Sequence, residues 1–403
     1  MELRPLWKIR WLVIALLTLP TLVWFGYSLL HPGGKKNGEK LYRLVEVPVH
    51  AEQTSPWVMQ DSGTTAGLRG IYSVDGKVAW ASGTGGAVLK TVDGGEHWQK
   101  CTVPDSDKDG ATLDFRGVQA WDAMTAIVMA SGPGEKSRLY RTTDGCNKWK
   151  LLLKNTDKGG FWDALHFHGN NGWLLGDPVN GAFSLFITDD GGQHWTRQRN
   201  EGLRVSASEQ GAFAASNSSL VEVHGFVMFG SGGKEGAFAY SDVETDICVD
   251  DCSRQDLNLD GRKDKWVRVA VPVGIGSESS GAFSIAARGD FAGAPKGSYT
   301  FVIVGGNYSK PNESTGAASW TSDGGMHWTA AAKPPHGYRS SVAWSKGLKA
   351  WIAVGTNGSD ISRDDGKTWQ PLDDGNWNAL SLPFVVGPNG RIARLSASAN
   401  LPK

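Results

Sequence analysis

The stretch TDDGGQHW at residues 188–195 decides how this chain is read, because it returns four more times in the same frame. The copies are TVDGGEHW at 91–98, TTDGCNKW at 142–149, TSDGGMHW at 321–328 and SRDDGKTW at 362–369. Each follows S/T-x-D-x-G-x-x-W, except that Cys146 stands where the second copy would carry glycine. A frame that recurs along a chain points to repeated structural units. Its residue types suit a hairpin turn. The aspartate accepts hydrogen bonds from turn amides, glycine adopts a backbone geometry other residues resist, and the tryptophan buries a large ring on the returning strand. Asp93, Asp144, Asp190, Asp323 and Asp364 therefore read as turn-formers rather than catalytic acids.

The motif resembles the Asp box, or BNR repeat. Around it the same strand order recurs: LRGIYSV, VAWASG, AVLKT and HWQKCTV in the first unit, then FRGVQAW, AIVMASG, RLYRT and KWKLLL in the second. Four strands make one blade of a propeller. A fourth unit, GAFAASN, GFVMFGS, GAFAYSD and KWVRVAV, lacks a plain box, but Trp266 closes its enlarged turn. The last unit has three strands before the chain ends, and YRLVEVPVH at 42–50 is expected to supply its fourth, closing the ring without free edges. The expectation is an all-β, seven-bladed β-propeller over residues 41–403, with an insertion at 243–265. The 53 glycines and 18 tryptophans fit that class.

An apolar run at 11–30 follows Arg4, Lys8 and Arg10, and is expected to be a transmembrane signal-anchor, with residues 1–10 cytoplasmic and 31–40 a linker. A cleaved signal peptide is the other reading. The run is longer than an ordinary signal core and no small-x-small cleavage site follows it, which favours the anchor. Both readings place the propeller outside the cytoplasm, in the periplasm or outside the cell. Four cysteines agree with an oxidising compartment; Cys248 and Cys252 suit a local disulfide, with Cys101 and Cys146 left as a second pair. Balanced charge, 41 basic against 41 acidic residues, argues against a nucleic-acid partner. No glycine fingerprint lies between a strand and a helix, so no nucleotide or redox cofactor is expected.

Within the insertion, DLNLDGRKD sets Asp256, Asn258, Asp260 and Asp264 at positions one, three, five and nine, with Gly261 at six. That spacing can fold oxygen ligands around one calcium ion, whose role would be structural. Position twelve is Val267, so the loop is not an EF-hand. His166 and His168, spaced by one residue on an expected strand, read as individually packed or solvated rather than as a metal site.

Candidate binding residues lie on the face opposite the Asp-box turns, where innermost strands begin beside the channel. They are Arg69, Arg116, Asp163, Glu209, Glu278, Tyr338, Arg339 and Asn378, joined by Asp177 from the GDP loop. Guanidinium forks suit carboxylates and other anions. Two resemblances compete. The RG dipeptides, the GDPVNG segment at 176–181 and the repeat spacing are similar to the photosystem II assembly and stability factor propellers and their bacterial BNR-like relatives. That resemblance implies a non-enzymatic scaffold binding a protein or membrane complex, with Arg69, Arg116, Arg339 and Asp177 as binding residues. The Asp boxes also resemble those of sialidases. That implies a glycosidase acting on an anionic glycan, with Arg69, Arg116 and Arg339 as an arginine triad, Tyr338 as nucleophile, Glu209 as its base and Asp163 as acid/base.

Overall fold

Each Asp-box frame joins two antiparallel strands. The computed structural model describes residues 55–198, 202–205, 210–243, 265–274, 276–288, 299–397 and 401–402, which form short strands, two 3-10 turns and no α-helix. Contacts divide the chain into Met1–Glu52 and Gln53–Lys403, and every described residue belongs to the second unit. Among them no helix is long and apolar enough to cross a membrane. The expected anchor at 11–30, the calcium ligands Asp256, Asn258, Asp260 and Asp264, the pair Cys248 and Cys252, and Glu209 all lie outside the described residues.

The strands pair in chain order. Leu68–Ser73, Ala79–Gly83, Val88–Thr91 and Gln99–Lys100 make one four-stranded sheet, and Phe115–Ala120 to Lys150–Lys154 make the next. The sheets opening at Trp162–His168 and Ser341–Ser345 repeat the pattern. A nine-stranded sheet contains two ladders, one around Phe226–Gly233 and one from Ser280–Ala287 to Thr329–Ala330, which touch through the pairing of Gly232 with Gly281.

The closing sheet draws on both parts of the chain, but not as the sequence suggests. Trp57–Gln60, not residues 42–50, pairs with Ile392–Leu395 and forms its outer edge; residues 42–50 lie outside the described residues. WVMQ is too short to announce itself as a strand, whereas YRLVEVPVH alternates well. What fixes WVMQ is tertiary. The Trp57 ring is buried 6.1 Å from that of Trp377, and its Nε1 donates to Ser359 Oγ at 3.0 Å.

The core lies between sheets. Trp80 and Val88 pack on Phe115, Val118 and Tyr140 of the following sheet, while Leu68, Ile71 and Leu89 pack on Phe384, Val386 and Ile392. The second cluster joins the first sheet to the last, so the ring is closed. Indoles carry much of this: Trp80, Trp162, Trp351, Trp369 and Trp377 are fully buried. Burying about 200 Å² of such a ring favours folding by about 5 kcal/mol at roughly 25 cal/mol per Å², before entropy.

The Asp boxes are built alike. In the first, Thr91 Oγ1 donates to Asp93 Oδ1 at 2.8 Å and accepts from Gly95 N at 2.9 Å, while Asp93 Oδ1 also accepts from His97 N at 3.0 Å. Asp144, Asp190, Asp323 and Asp364 hold the equivalent bonds to the residue four positions on. Cys146 keeps the glycine's positive φ, 73°, and is joined to Cys101, which follows the outer strand of the preceding sheet.

Candidate functional site

Four innermost strands carry a β-bulge at the same place. Pairing shifts between Leu68 and Gly70, Phe115 and Gly117, Trp162 and Ala164, and Ala282 and Ser284. The extra residues are Arg69, Arg116, Asp163 and Phe283. A bulge takes one side chain out of the strict alternation and re-aims it. The preceding residues, Leu68, Phe115, Trp162 and Ala282, stay buried in the packing between sheets.

The structure brings Arg69 and Arg116 together. Arg69 is half-buried and has no hydrogen-bond or ion-pair partner among the described residues. Burial, and then the charge of Arg116, lower its pKa, with Asp114 and Tyr338 acting in the other direction. Arg116 is held more firmly. Its Nε donates to Asp114 Oδ2 at 2.8 Å and its Nη1 to the Ala214 carbonyl at 3.3 Å, and the guanidinium lies 5.8 Å from the centroid of the Phe161 ring. Two neighbouring guanidinium groups, one of them without a partner among the described residues, make a mouth suited to an anion.

Asp163 and Asp177 join this mouth. Asp163 is 2% exposed, and burial, then the neighbouring Asp177, push its carboxyl well above the usual range, while Arg116 opposes them. Its Oδ2 is buried without a hydrogen-bond partner among the described residues. Asp177 sits on a second bulge, between Gly176 and Pro178, and accepts from Ala212 N at 3.0 Å. Burial pushes its carboxyl up to about 6.

An aromatic wall adjoins the arginines. Phe283 stacks on Phe213 with centroids 3.9 Å apart, and meets Tyr338 edge-on at 4.9 Å and Tyr308 at 6.0 Å. Tyr338 is buried, and its hydroxyl is pushed far above its ordinary pKa by that burial.

Residues 212–219 were invisible as a feature in the sequence, where GAFAASN reads as a strand. The innermost strand of this unit is instead broken into Gln210–Gly211 and Leu220–Val223, and the residues between them cross to other sheets. Asn217, at φ 61°, accepts from Leu165 N at 2.7 Å and donates to the Leu165 carbonyl at 3.0 Å. Ser216 Oγ donates to the Ser340 carbonyl at 2.6 Å, and Ser218 Oγ lies 2.7 Å from Ser284 Oγ. This crossing segment also supplies the Ala212 and Ala214 backbone groups that hold Asp177 and Arg116. The run SNSS at 216–219 was the available signal, since such residues interrupt strands.

Arg339 does not join the mouth. Its backbone N–H donates to Gly305 O, as Leu68 donates to Gly387 O and Trp377 to Gly355 O, so Arg339 occupies the buried position of those apolar residues. In that frame Ser340, not Arg339, falls at the position of Arg69, and its backbone N–H donates to the carbonyl of Val354, the residue paired with Ser341. The side chain is fully buried. Its Nε donates to Asp360 Oδ2 at 2.6 Å, Nη2 also pairs with that carboxylate, and Nη1 donates to the Tyr338 carbonyl at 2.7 Å. The three-arginine set of the sialidase-like reading is therefore not assembled.

The remaining candidates scatter. Glu278 is exposed and pairs with Lys234 at 2.8 Å. Asn378 donates to the Leu68 carbonyl at 2.7 Å, tying the last sheet to the first. His168 Nδ1 lies 2.8 Å from Glu222 Oε2, and His166, beside Trp173, is lowered to about 4 by burial.

Comparison with known proteins adds the following. No family model matches the chain. It is 25% identical over 195 residues to the photosystem II assembly lipoprotein Ycf48 of Synechococcus sp. (strain CC9902), covering 48% of this chain and about half, 54%, of that relative. Its fold is similar to that of a solved structure of YCF48 bound to D1 peptide, with TM-score 0.56, 17% identity, and 86% and 99% of the two chains covered. YCF48 from Cyanidioschyzon merolae matches with TM-score 0.55 and 20% identity over 84% and 98%. The chain thus resembles the photosystem II assembly factor propellers in sequence and in its all-β fold.

Proposed function

We propose that this chain is a non-enzymatic propeller scaffold that grips a carboxylate-bearing protein segment at Arg69 and Arg116, supporting the assembly or stability of a membrane complex. The observation that carries this is the half-buried guanidinium of Arg69, unpartnered among the described residues, beside that of Arg116. Leaving such donors without acceptors is costly, and an anionic ligand would satisfy them. A solved structure of similar fold holds a peptide, which supports a protein ligand over a glycan. The loss of Arg339 from the set weighs against a sialidase-type site at Tyr338 and Asp163.

Seven blades is the count this reading takes. It is supported by the division of the nine-stranded sheet at Gly232 and Gly281 into two ladders, beside five four-stranded sheets. Membrane anchoring and an extracytoplasmic position rest on the apolar run at 11–30 and on the Cys101–Cys146 disulfide. Calcium at Asp256, Asn258, Asp260 and Asp264 stays part of the proposal as a structural ion, and Asp260→Ala is expected to abolish calcium binding in calorimetry.

The test of the binding role uses the full chain in detergent and fluorescent acidic peptides, with amidated neutral versions as controls. Arg69→Gln combined with Arg116→Gln is expected to weaken binding of acidic peptides at least tenfold while circular dichroism is unchanged. Binding that ignores both substitutions would remove the arginine mouth from the proposal.

A further inference from the structure

The mouth holds more negative charge than an anion site needs, and that surplus has a location. Asp163 and Asp177 sit on bulges of paired strands, Trp162–His168 and Asn171–Val179, next to Arg116. The Asp177 N–H donates to the Phe161 carbonyl at 2.9 Å, which keeps the two bulges side by side. Asp163 Oδ2 is sealed from solvent without a donor, an arrangement that an ionised carboxylate tolerates poorly and a carboxyl sharing a proton with its neighbour tolerates well.

Resting on the reading of Arg69 and Arg116 as an anion-binding mouth, we infer that anion capture there is coupled to uptake of a proton by the Asp163–Asp177 pair. The pair and the ligand compete for the same guanidinium. With both carboxyls ionised, Arg69 and Arg116 contribute two positive charges against three negative ones from Asp114, Asp163 and Asp177, and the mouth repels an anion. One proton on the pair brings the balance to zero, and a second makes it positive. An anion binding at Arg116 withdraws that guanidinium from Asp163, so the carboxyl gains a proton from solvent as the anion arrives. No covalent bond changes.

The groups that set this titration come from every neighbouring element. Arg116 faces the pair from the second sheet with Asp114 paired to it, Arg69 stands beyond Arg116 on the first, and Tyr338 lies beside Arg69. The crossing segment contributes backbone groups, Ala212 N on Asp177 and the Ala214 carbonyl on Arg116. It fixes one carboxyl and the guanidinium to the same short stretch of chain, so the competition is geometric as well as electrostatic.

Coupling of this kind gives the mouth a dependence on pH that its arginines alone do not have. The scaffold would hold an acidic segment more tightly in an acidified surrounding and release it on neutralisation. Removing one nearby unit charge changes anion affinity by about tenfold at the separations and effective dielectric of a partly buried site.

Calorimetry on the full chain in detergent tests this, with benzenesulfonate as the probe because it does not titrate between pH 5 and 8. At pH 6.5, titrations in two buffers of different ionisation enthalpy count the protons taken up. The expected result is net uptake of a fraction of a proton per anion, with affinity about tenfold tighter at pH 5.5 than at 7.5. Asp163→Asn with Asp177→Asn is expected to abolish uptake and flatten the pH dependence, and Asp177→Asn alone to reduce both if the double variant misfolds. Arg-dependent binding with no proton uptake, or pH dependence that survives in the Asn variants, overturns the coupling and leaves the mouth standing. No binding at any pH overturns the mouth itself, and the coupling with it.

Discussion

Two openings of innermost strands, FRGV at 115–118 and YRSS at 338–341, look alike in sequence and end up opposite in structure. In the first, a bulge at Arg116 turns the guanidinium toward Arg69 and the carboxyl pair. In the second the frame is displaced by one residue, so Ser340 falls where Arg116 stands and Arg339 takes the buried position that Leu68 and Trp377 fill elsewhere in the ring. A displacement of one residue in the ladder decides whether an arginine lies beside Arg69 or spends its donors on Asp360. The same residue type is thus a proposed binding group in one place and internal scaffolding in another.

The sharpest way to break this comparison is to remove Arg339. Arg339→Met leaves Asp360 fully buried without its main partner, and such a loss costs about 3–5 kcal/mol. The midpoint of urea unfolding at pH 7.5 should fall accordingly. Arg339→Met with Asp360→Leu should recover much of the loss, because replacing both members of a buried pair by apolar groups is close to neutral. A loss below about 1 kcal/mol for the single variant would mean that Arg339 is not the internal strut described.

This contrast also marks where the sequence stops being legible. The Asp boxes, the all-β class and the order of strands are local matters of turn chemistry and period-two alternation, and they are visible in the residues. Bulges are not local. Whether Arg116 or Arg339 sits on one depends on the register of the facing strand, although glycine follows the bulged Arg69 and Arg116 where Ser340 follows Arg339. The crossing segment at 212–219 escaped for a related reason, since its bonds to Leu165, Ser284 and Ser340 join residues distant in sequence. Trp57–Gln60 escaped because four residues carry too little pattern. Arg69, Arg116, Asp163 and Asp177 were legible as polar residues beside a channel, but their grouping into a mouth was not.

The second sheet is also stapled, as the sheet opening at Ser341–Ser345 is not. Cys101 and Cys146 close a loop of 45 residues, and opening it should cost about 4 kcal/mol by loop entropy alone. Cys146 at φ 73° gives some of that back, because glycine there is free of strain. Cys101→Ala with Cys146→Gly should therefore lose less, about 3 kcal/mol, than Cys101→Ala with Cys146→Ala. Paired melts of the two variants read the difference. Equal losses would remove the strain from the account.

A smaller effect, of opposite sign, is expected at the carboxyl pair. Asp177 is raised to about 6 in the fold, above its unfolded value near 3.9. The native state therefore binds more protons than the unfolded state between those values, and this group's contribution to stability is full below pH 3.9 and lost as pH rises through 6. Asp177→Asn keeps an oxygen for Ala212 N and removes the charge. At pH 7.5 it should gain on the order of 1–2 kcal/mol over the native chain, and the gain should vanish by pH 4. A gain that persists at pH 4 would place its origin in packing rather than charge.

The smallest effect on stability belongs to Arg69, and it is the one that completes the contrast with Arg339. Arg69 makes no hydrogen bond or ion pair among the described residues, stands half-buried, and is pressed by Arg116. Its removal breaks nothing and relieves a like-charge repulsion. Arg69→Met keeps an apolar stem and should change stability by less than about 0.5 kcal/mol, in the direction of a slight gain. Binding of acidic peptides should nevertheless fall tenfold or more, since the free donors are gone. Chemical denaturation and fluorescence anisotropy on the same preparation measure the two quantities together. Stability lost in step with binding would make Arg69 a second Arg339, and the mouth would then rest on Arg116 alone.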